Sequence, residues 1–241
     1  MGKAHKAVWV IAEQIDCHLQ AVSLQLIGQA RKLADQLETS VEAILLGENI
    51  DRQAGQLIAA GADRVYLGNA PELEIYQPEL YTEIVVNLAA EHQPEIMLIG
   101  STDMGRELAP LVAGQLKTGL TAHCIDLVLD KDMILEQRIP AYGGLLSIVC
   151  PEKRPQMATA AKGVFATPEP DDSRTGETIM IDIPTDLPGR IKTLEIIREE
   201  PEGVPLETAS TIVAGGAGAG DDEGWNEISE LAATLNAALG S

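Results

Sequence analysis

The sequence predicts an α/β protein in which crossover helices cover a parallel sheet. Three observations support this fold class: short apolar runs alternate with stretches of helical periodicity, the connections between them are short, and aliphatic residues dominate the core-forming positions. Such alternation is typical of βαβ units, whose strands lie parallel in one sheet. Hydrophobic residues make up 45% of the 241-residue chain and aromatic residues only 3%, so a sizeable core must be aliphatic.

The first half of the chain supplies four strand–helix pairs. Strands are expected at 6–13, 41–47, 63–67 and 95–101, and helices at 22–37, 53–60, 80–88 and 104–116. Ser23 is the expected N-cap of the first helix, and Gly61 closes the second. Sheets of this kind bind ligands at the carboxyl ends of their strands.

After residue 118 strands follow one another directly, which predicts antiparallel strands added to a mixed sheet. They are expected at 121–129, 133–142, 145–150 and 155–160. A loop over 165–177, strands at 179–183 and 191–197 and a Pro-rich linker over 199–205 come next. A new strand is expected at 211–214, followed by a helical tail.

The charge balance excludes several classes of partner. The chain has 17 Lys and Arg against 37 Asp and Glu, a net charge of −20, so phosphate backbones and anionic lipid repel it. The acidity serves solubility or forms a docking face for a basic partner. We expect no nucleic-acid binding and no membrane insertion, because no apolar run approaches the roughly 18 residues that span a bilayer. Without a signal peptide or a disulfide framework, the three cysteines predict a cytoplasmic chain.

No catalytic residue and no metal site is predicted. The four histidines form no H-x-x-x-H pair, and the neighbours His123 and Cys124 would point to opposite faces of a strand. No G-x-S-x-G motif is present, and no pair of carboxylates is distinguished from the surface acids. A hydrolase on a similar sheet therefore lacks any sequence signature.

Two stretches are candidate binding sites. Thr102, Asp103 and Arg106 follow the fourth strand, where they form either an ordinary helix cap or a ligand or partner site at a helix N-terminus. Gly215, Gly216, Ala217 and Gly218 follow an apolar run. This loop meets neither the G-x-G-x-x-G pattern nor the P-loop pattern, so it is either a nucleotide cradle or a flexible interdomain turn.

Several motifs, in order along nearly the whole chain, resemble the alpha subunit of electron-transfer flavoproteins. They are the start VWVIAEQ, GRELAP at 105–110, TGLTA at 118–122, RIPAYGG at 138–144, RPQMAT at 154–159 and GVF at 163–165. The resemblance implies a Rossmann-like N-terminal domain that packs on a beta subunit. It also implies a second, doubly wound domain that carries FAD, with a GGRG-type loop near the flavin.

The resemblance further implies an electron carrier rather than a catalyst with its own substrate. Electrons would pass from dehydrogenases through FAD to an acceptor, and the beta subunit of the heterodimer would hold a second FAD or AMP. Three positions depart from the family pattern: Ala217 replaces an arginine by the flavin, His123 a frequent acid and Leu111 a frequent arginine. Asp221, Asp222 and Glu223 would repel a nearby phosphate.

The resulting hypothesis divides the chain in two. Residues 1–205 are the N-terminal α/β domain with the beta-subunit interface, and residues 206–241 are the first strand, loop and helix of an incomplete FAD domain. The glycines at 215, 216 and 218, with Ala217, would contact FAD, and Thr102, Asp103 and Arg106 would contact the beta subunit or its nucleotide. The alternative is a flavin-free interface or scaffold module of the same family.

Overall fold

A computed structural model describes residues 6–184, 193–197, 206 and 209–241. The chain divides into two compact units, residues 1–192 and 193–241. The described residues contain fourteen strands: β1 Val8–Ala12, β2 Gln14–Ile15, β3 His18–Leu19, β4 Val41–Gly47, β5 Arg64–Asn69, β6 Ile96–Gly100, β7 Leu120–Cys124, β8 Asp126–Leu129, β9 Leu135–Ala141, β10 Gly144–Val149, β11 Gln156–Ala160, β12 Glu177–Met180, β13 Ile212–Ala214 and β14 Ala238–Gly240. They also contain five α-helices: α1 Ala21–Leu37, α2 Asp51–Ala60, α3 Pro78–His92, α4 Asp103–Leu116 and α5 Asp222–Leu235.

The first unit is built on a seven-stranded sheet in the order β12-β5-β4-β1-β6-β11-β7. Every neighbouring pair in this sheet runs parallel. The α/β fold class predicted from the alternating pattern is therefore confirmed. The central strands are buried along their whole length, since helices cover both faces of a parallel sheet.

Successive residues of β1 point alternately into two cores. Val8, Val10 and Ala12 pack with α1 and α2, whereas Trp9 and Ile11 pack with α3 and α4. The second core also contains a buried carboxylate, Glu42, whose oxygens accept hydrogen bonds from Trp9 Nε1 at 2.8 Å and from Arg64 Nη1 at 2.9 Å. Buried charge is tolerated here because its hydrogen bonds are made.

Of the strands expected to be antiparallel, β8, β9 and β10 form a sheet of their own in the order β10-β9-β8, whereas β7 and β11 run parallel in the seven-stranded sheet. The expectation that antiparallel strands extend the parallel sheet is therefore wrong. The single strand expected over 121–129 breaks into β7 and β8, because His123 adopts a positive φ of 59° and the ladder with β11 shifts its register there. The chain thereby leaves the parallel sheet and enters the antiparallel one.

Two other expectations are corrected. Gln20, not Ser23, precedes the first residue of α1, and Ser23 lies buried in the first turn of that helix. Residues 193–197 form no strand, since no neighbouring strand pairs with them among the described residues. The predicted linker over 199–205 and residues 191 and 192 lie outside the described residues, so the boundary between 205 and 206 stays a prediction.

The second unit contains a βαβ arrangement. β13 leads through a glycine-rich loop into α5, and β14 returns to pair with β13 in parallel. Few of its side chains are buried: Ala232 is the buried residue of α5, and Leu231, Leu235 and Leu239 are 51%, 53% and 40% exposed.

Two glycines of α4 provide a matched test of the packing in the first unit. A Cβ on Gly105 would overlap the carbonyl oxygen of Gly100, whereas a Cβ on Gly114 would meet nothing within 4 Å. We expect Gly105→Ala to lower the free energy of unfolding by about 1–3 kcal/mol, the usual cost of overpacking. Gly114→Ala should raise it by about 0.5–1 kcal/mol, because alanine favours helix. Urea unfolding of both variants measures this, and equal effects would contradict the packing described.

Candidate functional site

The carboxyl ends of β1 and β6 mark the point at which the order of the parallel sheet reverses. The chain adds β4 and then β5 on one side of β1, and afterwards crosses to the other side to form β6. Ligands of open α/β sheets bind in the crevice at such a reversal. The residues that follow β1 and β6 are therefore the first place to look for a site in this unit.

Glu13, the residue after β1, is held at this crevice by its own backbone. Its N–H donates to Ser23 Oγ at 2.7 Å, and the Ser23 hydroxyl donates back to the Glu13 carbonyl at 3.1 Å. The Gln20 N–H donates to the same carbonyl at 2.9 Å. Ser23 therefore positions Glu13 instead of capping α1.

Glycines make the room that the side chains after β1 occupy. A Cβ on Gly100, the last residue of β6, would lie 2.6 Å from Glu13 Oε1. A Cβ on Gly47, the last residue of β4, would lie 2.6 Å from Gln14 Nε2. Glu13 and Gln14 thus fill the ends of the two strands that flank β1. Contacts this close are possible only where the neighbour is glycine.

The Glu13 carboxyl is buried, with the residue only 5% exposed. Burial raises its pKa to about 7, and the Thr102 side chain, the charge of Lys162 and the Gly100 backbone offset part of that rise. Oε1 has no hydrogen-bond partner among the described residues. The hydroxyl of Tyr76 is also buried, and its pKa is raised by burial and by the neighbouring Glu107. This crevice therefore differs from the fully bonded surroundings of Glu42.

The three predicted residues of the first site lie at the start of α4. Thr102 caps the helix, with its hydroxyl oxygen accepting from the Gly105 N–H at 2.9 Å. Arg106 pairs with Asp103 one turn earlier, and their side chains are 65% and 97% exposed. The cap thus faces the crevice, whereas the ion pair lies on the surface and can contact another chain.

His123 also reaches this edge of the sheet. Its Nδ1 lies 3.0 Å from Ser101 Oγ, in a hydrogen bond that joins β7 to the residue after β6. Its backbone N–H donates to Thr159 Oγ1 at 2.8 Å. The crevice is consequently bordered by Glu13, Ser101, Thr102 and His123, from three different strand ends.

The glycine-rich loop of the second unit has a different geometry. A Cβ on Gly215 would lie 2.7 Å from both Trp225 and Ile228, so this glycine allows β13 to pack on α5. Gly216 and Gly218 meet nothing within 4 Å, and residues 216–218 are exposed. The loop backbone is thus open to another molecule from 216 onwards.

The first turn of α5 is acidic and already capped. Asp221 accepts a hydrogen bond from the Gly224 N–H at 3.2 Å, and Asp222 and Glu223 follow it. A Cβ on Gly224 would overlap the carbonyl oxygen of Ala219, so the helix approaches the loop closely. A phosphate at this helix N-terminus would meet carboxylates rather than free amides.

Comparison with known proteins identifies the family. Residues 8–186 match the model of the electron transfer flavoprotein domain. The electron transfer flavoprotein subunit alpha of Thermoanaerobacterium thermosaccharolyticum is 42% identical over 98% of this chain and 73% of its own length. The chain belongs to the electron-transfer flavoprotein alpha-subunit family.

Other members of the family cover the same region. The subunit alpha of Megasphaera elsdenii is 42% identical over 98% of this chain and 72% of its own length. Subunit LctC of the lactate dehydrogenase (NAD(+),ferredoxin) of Acetobacterium woodii is 34% identical over 98% of this chain and 57% of its own length. The resemblance inferred from the RPQMAT and GVF motifs is therefore confirmed.

The described residues of this electron-transfer flavoprotein chain carry neither a metal-ligand cluster nor a membrane-spanning helix. No group of three or more His, Cys, Asp or Glu side chains among them could hold a metal ion. No helix in the same residues is long and apolar enough to cross a bilayer.

Glu13 and its glycines were missed by pattern reasoning, although a signal was present. An acid directly after a fully apolar strand, in VWVIAE, places a carboxylate at the edge where parallel sheets bind ligands. Gly100 and Gly105, which flank the loop after β6, are spaced to allow close packing of strand and helix. Neither feature belongs to a standard motif, so the site emerges only from the fold.

The raised pKa of Glu13 predicts a pH dependence of stability. The pKa of the carboxyl is near 4.5 in the unfolded chain and near 7 in the folded chain. Its stabilising contribution to the free energy of unfolding is therefore fully present below pH 4.5 and is lost as the pH rises to about 7. Glu13→Gln removes this titration and keeps the shape. The wild-type free energy of unfolding should therefore fall relative to Glu13→Gln by up to about 1.4 kcal/mol per pH unit in that window. The free energies of unfolding of both proteins are measured by urea unfolding from pH 5 to pH 8. The same pH dependence in both would contradict the raised pKa of Glu13.

Proposed function

We propose that the chain acts as an electron carrier: an electron-transfer flavoprotein alpha subunit that works with a beta subunit and FAD. The observation that carries the proposal is the 42% identity to named alpha subunits over 98% of the chain. In this role electrons pass from dehydrogenases to an acceptor, and the chain itself has no substrate. The relative LctC, named as a dehydrogenase subunit, is consistent with a role inside a larger redox complex.

Residues 206–241, which lie in the second unit, would supply the flavin contacts of this chain. Gly216 and Gly218 have open space in place of a side chain, and Ala217 is exposed between them, so their backbone can approach a ring system. Gly215 would support the loop through its packing on Trp225 and Ile228. Because Asp221 occupies the cap of α5, we place the flavin rather than the pyrophosphate at this loop. FAD would supply the redox chemistry when bound.

The beta-subunit interface would lie within residues 1–205, which include the whole of the first unit. Arg106 and Asp103 form an exposed ion pair on the first turn of α4, and exposed charge pairs of this kind steer association. Thr102 is buried and caps α4, so it would fix the position of the first turn that carries the ion pair without contacting the partner itself. Any second FAD or AMP would then be held by the beta subunit, next to this surface.

An alternative function has its own supporting observation. The loop carries Ala217 and is followed by three acids, Asp221 to Glu223, so residues 215–223 contain no positively charged side chain. A module that keeps the subunit interface but holds no flavin would tolerate this composition. The two functions differ in flavin content alone.

Co-purification of the chain with its beta subunit separates the two proposals. We expect a stable heterodimer whose absorption spectrum shows FAD bound by the alpha chain, since Gly216 and Gly218 leave the loop accessible. Gly218→Val should lower that flavin content several-fold while leaving heterodimer affinity unchanged, because the loop is exposed and makes no internal contacts there. A stable heterodimer without this FAD would contradict the carrier function and support the scaffold.

A further inference from the structure

We propose that a cavity beside α3 receives a lysine or arginine side chain from a basic segment of a partner protein. The cavity has a volume of about 390 Å³ and lies between the second half of α3 and the edge of the parallel sheet at which β12 pairs with β5. This volume is at the lower end of the range for small-molecule pockets, roughly 300–1,000 Å³, and is enough for one long side chain.

The lining of the cavity is amphipathic. Its apolar part consists of isoleucine and leucine side chains from α3 and from the sheet edge: Ile84, Leu88, Ile179 and Ile181. Its acidic part consists of Glu91 and Asp182, which are both exposed. A lysine or arginine side chain has the matching chemistry, because it buries an apolar stem while its charged head stays near water.

The electrostatic potential of the cavity favours a cation. Glu91 and His92 belong to the last turn of α3, and the C-terminus of a helix carries negative potential. The described residues of the lining include no Lys or Arg, and the ring of the lining His92 packs 4.9 Å from that of Tyr66. Arg64, on the neighbouring strand β5, is already paired with two carboxylates. The acids of the lining are therefore available to a cation from outside.

The stability of α3 does not explain the position of Glu91. Helices usually carry Lys, Arg or His in the last turn, since a carboxylate there opposes the helix dipole. Neither Glu91 nor Asp182 forms an ion pair with another described residue. Two exposed carboxylates thus face one cavity from α3 and from the segment after β12, without a basic partner among the described residues.

The acidic surface extends beyond the cavity, which favours a protein partner over a small organic cation. From Val65 to Thr102 the chain contains no Lys or Arg but six Glu residues, at 72, 74, 79, 83, 91 and 95. On α3, Glu79, Glu83 and Glu91 are spaced by multiples of four residues, so they follow one another along one side of the helix. A small cation needs only the cavity, whereas a basic segment also contacts this row.

Binding of short peptides to the full chain tests the proposal, and the test requires neither FAD nor a beta subunit. The probe is acetyl-Lys-Ala-Arg-Ala-Lys-amide. In the control peptide citrulline replaces arginine, which keeps the shape of the side chain without its charge. We expect the arginine peptide to bind about fivefold more tightly at low ionic strength, the upper range for an exposed ion pair. Calorimetry measures both affinities.

Isoleucine methyl NMR locates the bound peptide. The δ1-methyl signals of Ile179 and Ile181 should shift on addition of the arginine peptide and should saturate at the Kd found by calorimetry, because both side chains line the cavity. The methyl signals of Ile11 and Ile99, which are buried in the strands β1 and β6, serve as internal references and should not shift.

Glu91→Gln and Asp182→Asn are the test variants, and Asp132→Asn is the matched control. Each removes the charge of one exposed carboxylate, but Asp132 lies in the turn between β8 and β9, outside the lining. Each test variant should weaken binding of the arginine peptide by about two- to fivefold and leave the affinity for the citrulline peptide unchanged. Asp132→Asn should leave both affinities unchanged.

Four results would overturn the proposal. The arginine and citrulline peptides could bind equally, or the two test variants could weaken binding no more than Asp132→Asn does. The peptide could bind without shifting the methyl signals of Ile179 and Ile181, which would place it outside the cavity. Finally, butylguanidinium alone could bind as tightly as the arginine peptide, which would assign the cavity to a small organic cation instead of a protein partner.

Discussion

The contact between the Glu13 side chain and Gly100 governs the carboxyl edge of the first unit. A carboxyl can lie over the end of β6 only because residue 100 has no Cβ, and α4 can begin so close to that strand only because residue 105 has none either. The same contact places a buried side chain where the strand order of the parallel sheet reverses. The fit between the strand ends and the start of α4 at this edge of the first unit therefore depends on these two glycines.

The close packing around Glu13 and Gly100 bears on where the two units can contact other molecules. In the first, surfaces outside the crevice, such as the exposed ion pair of Arg106 and Asp103, are free to contact another chain. In the second, the backbone of Gly216 and Gly218 is exposed and accessible to another molecule. A carrier subunit needs both an interface and a flavin contact, and we place them in different units for this reason.

Most of the fold could be predicted from the sequence, because periodicity and strand burial are local signals. The four strand–helix pairs from β1 to α4 follow from such patterns, as do the Thr102 cap and the strand of Ile212–Ala214. The separate antiparallel sheet could not be predicted, since it depends on the positive φ of His123 in the middle of an apparently continuous strand. β14 was missed as well: three residues, Ala238 to Gly240, form a strand only because β13 lies beside them.

The site shows the same division between local and non-local information. Thr102 and the glycine loop were recognised from their neighbours in sequence. Glu13 becomes significant only when β1 and β6 lie side by side, and their register partners, such as Val10 and Leu98, are 88 residues apart in the chain. Hydrogen exchange of the chain alone and in complex with its beta subunit and FAD tests the division of tasks most directly. The account predicts that amides of 225–239 exchange rapidly in the free chain and become protected in the complex, together with the first turn of α4, while β1 and β6 are protected in both. Protection that appears at β1 and β6 alone, with none gained at 215–239, would contradict it.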